Sequence, residues 1–114
     1  MPETYDSVVD RIGAFNAATE AMSKGRAKEV LVEIAGQPHL RLRLVRTEDN
    51  YAIEVHGAAV SPALAEMGFA QQGEDFGREV RKSERSWNVA SQLEDVLQDA
   101  LNLGPDVAVS ITTT

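Results

Sequence analysis

His39 and His56 are the only histidines in the chain, and with Glu54 they come closest to a metal or acid–base constellation. Each sits at the end of an alternating apolar stretch, in phase with the polar residues Arg41, Arg43 and Glu54. A hairpin joining those stretches would place the two imidazoles at neighbouring strand ends. Zinc takes three or four ligands and the neighbourhood offers few, so the pair reads as surface histidines. With no cysteine, disulfides, thiolate nucleophiles and thiolate metal sites are excluded. The serines form no Gly-x-Ser-x-Gly elbow, and neither a P-loop nor a dinucleotide fingerprint is present. Gly73-Glu74-Asp75-Phe76-Gly77 has the look of a glycine loop, but its two carboxylates would repel a phosphate, and it reads as a turn before a strand. The expectation is a non-enzymatic protein with no catalytic, cofactor-binding or metal-binding residues.

The stretch from Glu29 to Val55 must position these groups. Val30, Val32 and Ile34, then Leu40, Leu42 and Leu44, then Tyr51, Ile53 and Val55 put apolar residues on every second position. That alternation describes a sheet with one apolar and one polar face. It argues for antiparallel pairing, because parallel strands buried on both sides read as continuous apolar runs. The gaps Gly36-Gln37-Pro38 and Thr47-Glu48-Asp49-Asn50 suit hairpins. On the polar face Arg41 and Arg43, with His39 and Arg46, make a basic row opposed by Glu33 and Glu54, a pattern that cross-strand ion pairs explain.

Helices must cover the apolar face. The first is expected from near Tyr5 to Lys24, capped by Ser7 with Asp10 three residues on or, alternatively, by Thr4, and stopped at Gly25. Its core stripe reads as Tyr5, Val8, Val9, Ile12, Phe15 and Met22. Ala14, Ala17, Ala18 and Ala21 on the other side are small enough to admit a second helix, as in a homodimer, although their stronger explanation is that alanine is the best helix former. Ser61-Pro62 opens a short helix with Ala63, Leu64 and Met67 on its apolar side and Gly68 at its close. Phe76, Arg78 and Val80 alternate with Gly77, Glu79 and Arg81 as a fourth strand. From Trp87 to Leu103, Val89, Ala90, Leu93, Val96, Leu97, Ala100 and Leu101 form the apolar arc of a last helix, which Gly104-Pro105 stops. Val107, Val109 and Ile111 mark a fifth strand, placed at a sheet edge. The expected fold is an α+β domain over residues 1–114, order α-β-β-β-α-β-α-β, with an antiparallel sheet covered on one face by helices.

Composition narrows the partners. At 114 residues, with 43% apolar and 25% charged side chains, the chain suits one globular domain with one core. The net charge of -7 is uneven: -2 over residues 1–57 and -5 over residues 58–114. An acidic chain without a basic cluster repels phosphate backbones, so nucleic acid is not an expected partner. No apolar run approaches the roughly 20 residues of a membrane span, and Met-Pro-Glu-Thr-Tyr-Asp is no secretory signal. A cytoplasmic protein that does not insert in membranes is expected.

Binding is what remains. The apolar arc of the last helix is wide for one that covers a single sheet, and Glu94, Asp95 and Asp99 lie beside it without basic neighbours on the helix. Trp87, Leu93, Glu94, Asp95, Leu97, Asp99 and Leu101 are therefore the expected partner-binding residues, taking a polypeptide whose lysine or arginine meets the carboxylates. Trp87 and Phe69 flank helices and are expected to be mainly buried, the alternative being an aromatic at the rim of a peptide groove.

From Tyr51 onward the chain resembles a family. Tyr51-Ala52-Ile53-Glu54-Val55-His56-Gly57, then Leu64-Ala65-Glu66-Met67-Gly68-Phe69, then a short strand and Trp87 leading into an apolar helix, is similar to bacterial chaperone-like domains related to type III secretion chaperones and the YbjN proteins. Phe69 stands where that family tends to have tryptophan, and the proline that often follows is missing. The resemblance implies a small, acidic, non-enzymatic protein, often a homodimer, that holds a partner polypeptide in extended form along apolar grooves. The alternative is a stand-alone inhibitory or regulatory protein, of antitoxin or anti-defence type, that blocks one folded target.

Overall fold

The computed structural model describes residues 3–47, 50–57, 62–81, 86–103 and 107–114. In chain order the elements are β1 (Glu3–Tyr5), α1 (Val8–Ser23), β2 (Glu29–Ile34), β3 (Gln37–Arg46), β4 (Asn50–His56), α2 (Pro62–Glu66), β5 (Ala70–Gln72), β6 (Asp75–Arg81), α3 (Ser86–Asp95), a π-helical turn (Val96–Ala100) and β7 (Val109–Thr113). The strands form one sheet in the order β1-β7-β2-β3-β4-β6-β5, and every pairing is antiparallel. The domain is therefore α+β, an antiparallel sheet packed against helices. The N-cap expected at Ser61 and the stop expected at Gly104-Pro105 lie outside the described residues.

Alternation sets the register. Val32 faces Leu42, Leu42 faces Val55, and Ile53 faces Leu44. The nine alternating apolar residues of the three central strands, Val30 to Val55, are all buried, and Phe76 and Val80 extend that face onto β6. A one-residue slip would turn every one of them to solvent, so the pattern specifies the pairing. Pro38 is accommodated where the β2–β3 register shifts. There β3 swings toward the end of β4: a Cβ on Gly57, whose φ is +83°, would sit 1.9 Å from the His39 carbonyl oxygen. Only glycine fits.

Two three-residue strands, β1 and β5, were not expected. β1 takes up Tyr5, so α1 starts later than the wheel suggested, at Val8, with Ser7 Oγ accepting from the Asp10 N–H at 3.2 Å. Because β1 occupies the edge, β7 is not an edge strand: it lies between β1 and β2, with Tyr5 opposite Val109 and Ile111 opposite Val32. Gly73-Glu74 is the turn expected. It closes the two-residue β5–β6 hairpin, with φ +69° at Gly73.

The buried face of α1 also differs. Arg11, Phe15, Ala18, Thr19 and Met22 point inward, whereas Val9 is 80% exposed. The cause is a charged side chain on the inner stripe, Arg11, whose partner sits on α3. The helix that α1 packs against is thus the chain's own α3.

Candidate functional site

Ser86–Asp95 is helical because apolar residues recur with its period, and Val89, Ala90, Leu93, Val96 and Leu97 are all buried in the core. The π-turn follows, with the Leu101 N–H donating to the Val96 carbonyl at 2.9 Å. Asn102 then adopts φ 55°, a left-handed conformation that asparagine tolerates, and the Leu103 N–H returns to the Leu97 carbonyl at 2.9 Å.

Glu94 is 3% exposed and faces inward. Its Oε1 accepts from Arg11 Nε at 2.9 Å, and its Oε2 accepts from Arg11 Nη2 at 2.6 Å and from Gln98 Nε2 at 2.8 Å. Arg11 Nη1 also donates to the Val107 carbonyl at 2.8 Å. A planar guanidinium meets a carboxylate edge with two parallel hydrogen bonds, so neither buried charge is left uncompensated. Arg11 was missed in the sequence. The signal was there: Arg11, Phe15, Ala18 and Met22 follow one another at four, three and four residues, the spacing of one helix stripe.

The structure divides the seven expected partner-binding residues. Leu93 and Leu97 belong to the core and Glu94 to the buried ion pair, so none of the three is offered to a partner. Leu101 is half-buried against the core. Trp87, Asp95 and Asp99 stay on the outside. Trp87 is 57% exposed, which overturns the expectation of a mainly buried side chain. Trp87 stands in the first turn of α3, three residues before Ala90 and seven before Glu94, so it lies at the rim of the inward arc rather than at its centre. Phe69, by contrast, is buried as expected.

Although Asp95 is exposed, partial desolvation against the helix surface raises its carboxyl above the usual aspartate range, and the negative charges of Asp99 and Glu94 raise it further. Asp95 and Asp99 are neighbours one turn apart, and neither the last turn of α3 nor that of the π-turn carries a basic residue. Trp87 lies eight residues before Asp95, about 12 Å along the helix. Trp87 on α3, Asp95 at its end and Asp99 on the π-turn thus form an exposed ridge, on which neither carboxylate has an ion pair among the described residues.

The open sheet face carries the other charged cluster. Arg43 Nε donates to Glu29 Oε1 at 2.6 Å and its Nη1 to Glu54 Oε1 at 3.3 Å, so Glu29 is held below the usual carboxylate range and Arg43 above its ordinary value, each chiefly by their mutual hydrogen bond. His56 stands between two carboxylates, Nε2 3.0 Å from Glu54 Oε1 and Nδ1 3.0 Å from Asp75 Oδ2. The His39 side chain makes no hydrogen bond or ion pair among the described residues. Nor do three histidine, aspartate or glutamate side chains converge as metal donors among the described residues. Arg41 faces Glu33 in register without an ion pair, beside a depression of about 240 Å³ lined by Glu29, Leu31, Arg41, Arg43 and His56. This cluster satisfies itself, whereas the outer side of α3 does not. No family model, curated protein or solved structure matches the chain, and what the ridge can bind follows from its own residues.

Proposed function

We propose that this chain is a non-enzymatic polypeptide-binding protein whose partner lies along the outer side of α3, an apolar side chain on Trp87 and a basic one between Asp95 and Asp99. The observation that carries this reading is Trp87. A large aromatic at 57% exposure, on a helix whose inner half is fully used by the core, loses nothing in stability if replaced and gains contact area if covered. The carboxylate pair adds direction, since a cation between Asp95 and Asp99 relieves their repulsion and speeds encounter at low salt. The family resemblance implies the same class of partner. With Leu93 and Leu97 inside, the strip is narrower than a groove running the length of the helix, and it suits a short segment.

Trp87 is the chain's only tryptophan and reports directly. Peptides carrying one leucine and one arginine at varied spacing should shift its emission in a saturable way, and the matching leucine–glutamate peptides should not. Reversing both carboxylates with Asp95→Lys and Asp99→Lys should weaken the best peptide by about tenfold or more and flatten its salt dependence. Equal binding by the reversed protein would reject this surface.

A further inference from the structure

We infer that the outer edge of β6 is a self-association site, where two copies of the chain join their sheets antiparallel about a two-fold axis centred on Val80. β5 covers only part of β6: Gln72 pairs with Asp75, Gln71 with Phe76 and Ala70 with Gly77, and there the ladder ends. In a two-residue hairpin the pair flanking the loop is the hydrogen-bonded one, so Asp75 and Gly77 turn their backbone groups toward β5. By the same period of two, Glu79 and Arg81 turn theirs to that side, where no described strand receives them. The chain leading into β5 folds away instead, with the Phe69 N–H donating to the Leu64 carbonyl and the Gly68 N–H to Ala65. What borders the edge is a depression of about 260 Å³ lined by Arg78 to Arg81 and Gln92. Gln92 Oε1 is buried there without a hydrogen-bond partner among the described residues.

The side chains choose the occupant. If Val80 lies opposite Val80 of a second copy, Glu79 falls opposite the second copy's Arg81, and Arg81 opposite its Glu79. Both are the outward-turned, hydrogen-bonding positions, and both side chains stand on the open face. Two backbone pairs and two ion pairs form by symmetry. Glu79 and Arg81 are exposed, and Arg81 has no ion pair among the described residues. The sequence of this edge is complementary to itself when reversed, and an arbitrary extended peptide would have no such match.

Light scattering and sedimentation across the micromolar range test this. The wild-type mass should rise from 12.4 kDa toward twice that value with concentration. Glu79→Arg sets arginine against arginine, and Arg81→Glu sets glutamate against glutamate. Each should weaken association by about tenfold, while the double exchange restores it to within a factor of about three. A chain without cysteine permits a second measurement. Val80→Cys should form a disulfide-linked dimer on mild oxidation, since directly opposed non-hydrogen-bonded residues lie about 4.5 Å apart at Cα, and Glu20→Cys on α1 should not. A wild-type protein that stays at 12.4 kDa throughout, or single reversals that leave association unchanged, would overturn the inference, as would an edge that takes up extended peptides while the chain stays monomeric.

Discussion

Arg11 on α1 grips Glu94 on α3 through two hydrogen bonds, of 2.9 and 2.6 Å, with side chains 0% and 5% exposed. The pair ties both helices to the approach of β7 through the Val107 carbonyl. Removing one member strands the other charge in the core. Arg11→Met and Glu94→Leu should each cost about 3 to 5 kcal/mol in urea denaturation. The double variant should recover most of the loss, because two apolar side chains leave no charge to compensate. A double variant as unstable as the singles would mean that the charges themselves, and not their mutual compensation, hold the helices.

Trp87 predicts the opposite. Trp87→Ala should change stability by less than about 1 kcal/mol, within the range of surface substitutions. The wild-type emission should be close to that of free tryptophan, and a blue-shifted maximum would contradict the exposure.

Asp95 gives a pH dependence whose sign is fixed by its raised pKa. The folded state holds the Asp95 proton more tightly than the unfolded state, so this group's contribution to stability is largest below the usual aspartate pKa of about 4 and is lost as pH rises through the raised value. Asp95→Asn should therefore raise the melting temperature at pH 7, and the gain should shrink toward zero at the acid end. Glu29 runs the other way. Its lowered pKa makes its contribution present at neutral pH and lost as pH falls, so Glu29→Gln should flatten the acid limb of the stability curve.

Gly57→Ala tests the close approach of β3 and β4. A Cβ would collide with backbone, the His39 carbonyl, and φ +83° is unfavourable for any L side chain. A loss of at least about 2 kcal/mol is expected. By comparison, Gly36→Ala, with open space around its Cβ position, should cost only the left-handed conformation.

The central sheet was legible because its signal is physical and repeated: Val32, Leu42, Ile53 and Val80 must each face the helices, and period two says so. β1 and β5 were not legible, since strands of three residues offer no alternation to read. Ser7 marks the N-cap of α1, but the start expected near Tyr5 is too early and the expected rotation is wrong, because Val9 counts as apolar in any pattern while Arg11 enters the core only through a partner 83 positions away. The same long-range pair hid the fate of Glu94. Of the ridge, Asp95 and Asp99 could be read from spacing alone. The exposure of Trp87 could not, since it depends on where the buried arc begins.

The place of β7 has a consequence for how the fold is reached. Among the described strands β1 pairs only with β7, Glu3 with Ile111 and Tyr5 with Val109, while β2 pairs with β3 on one side and with β7 on the other, so the second side of β2 is settled only when residues 109–113 arrive. A nascent chain can zip β2, β3 and β4 as soon as they leave the ribosome, since each pairs with its successor across a short turn. Throughout that interval the free side of β2 stays open, with Val30, Val32 and Ile34 adjoining it. Completion of the sheet thus waits for β7, and loss of residues 109–113 should leave a chain that aggregates through β2.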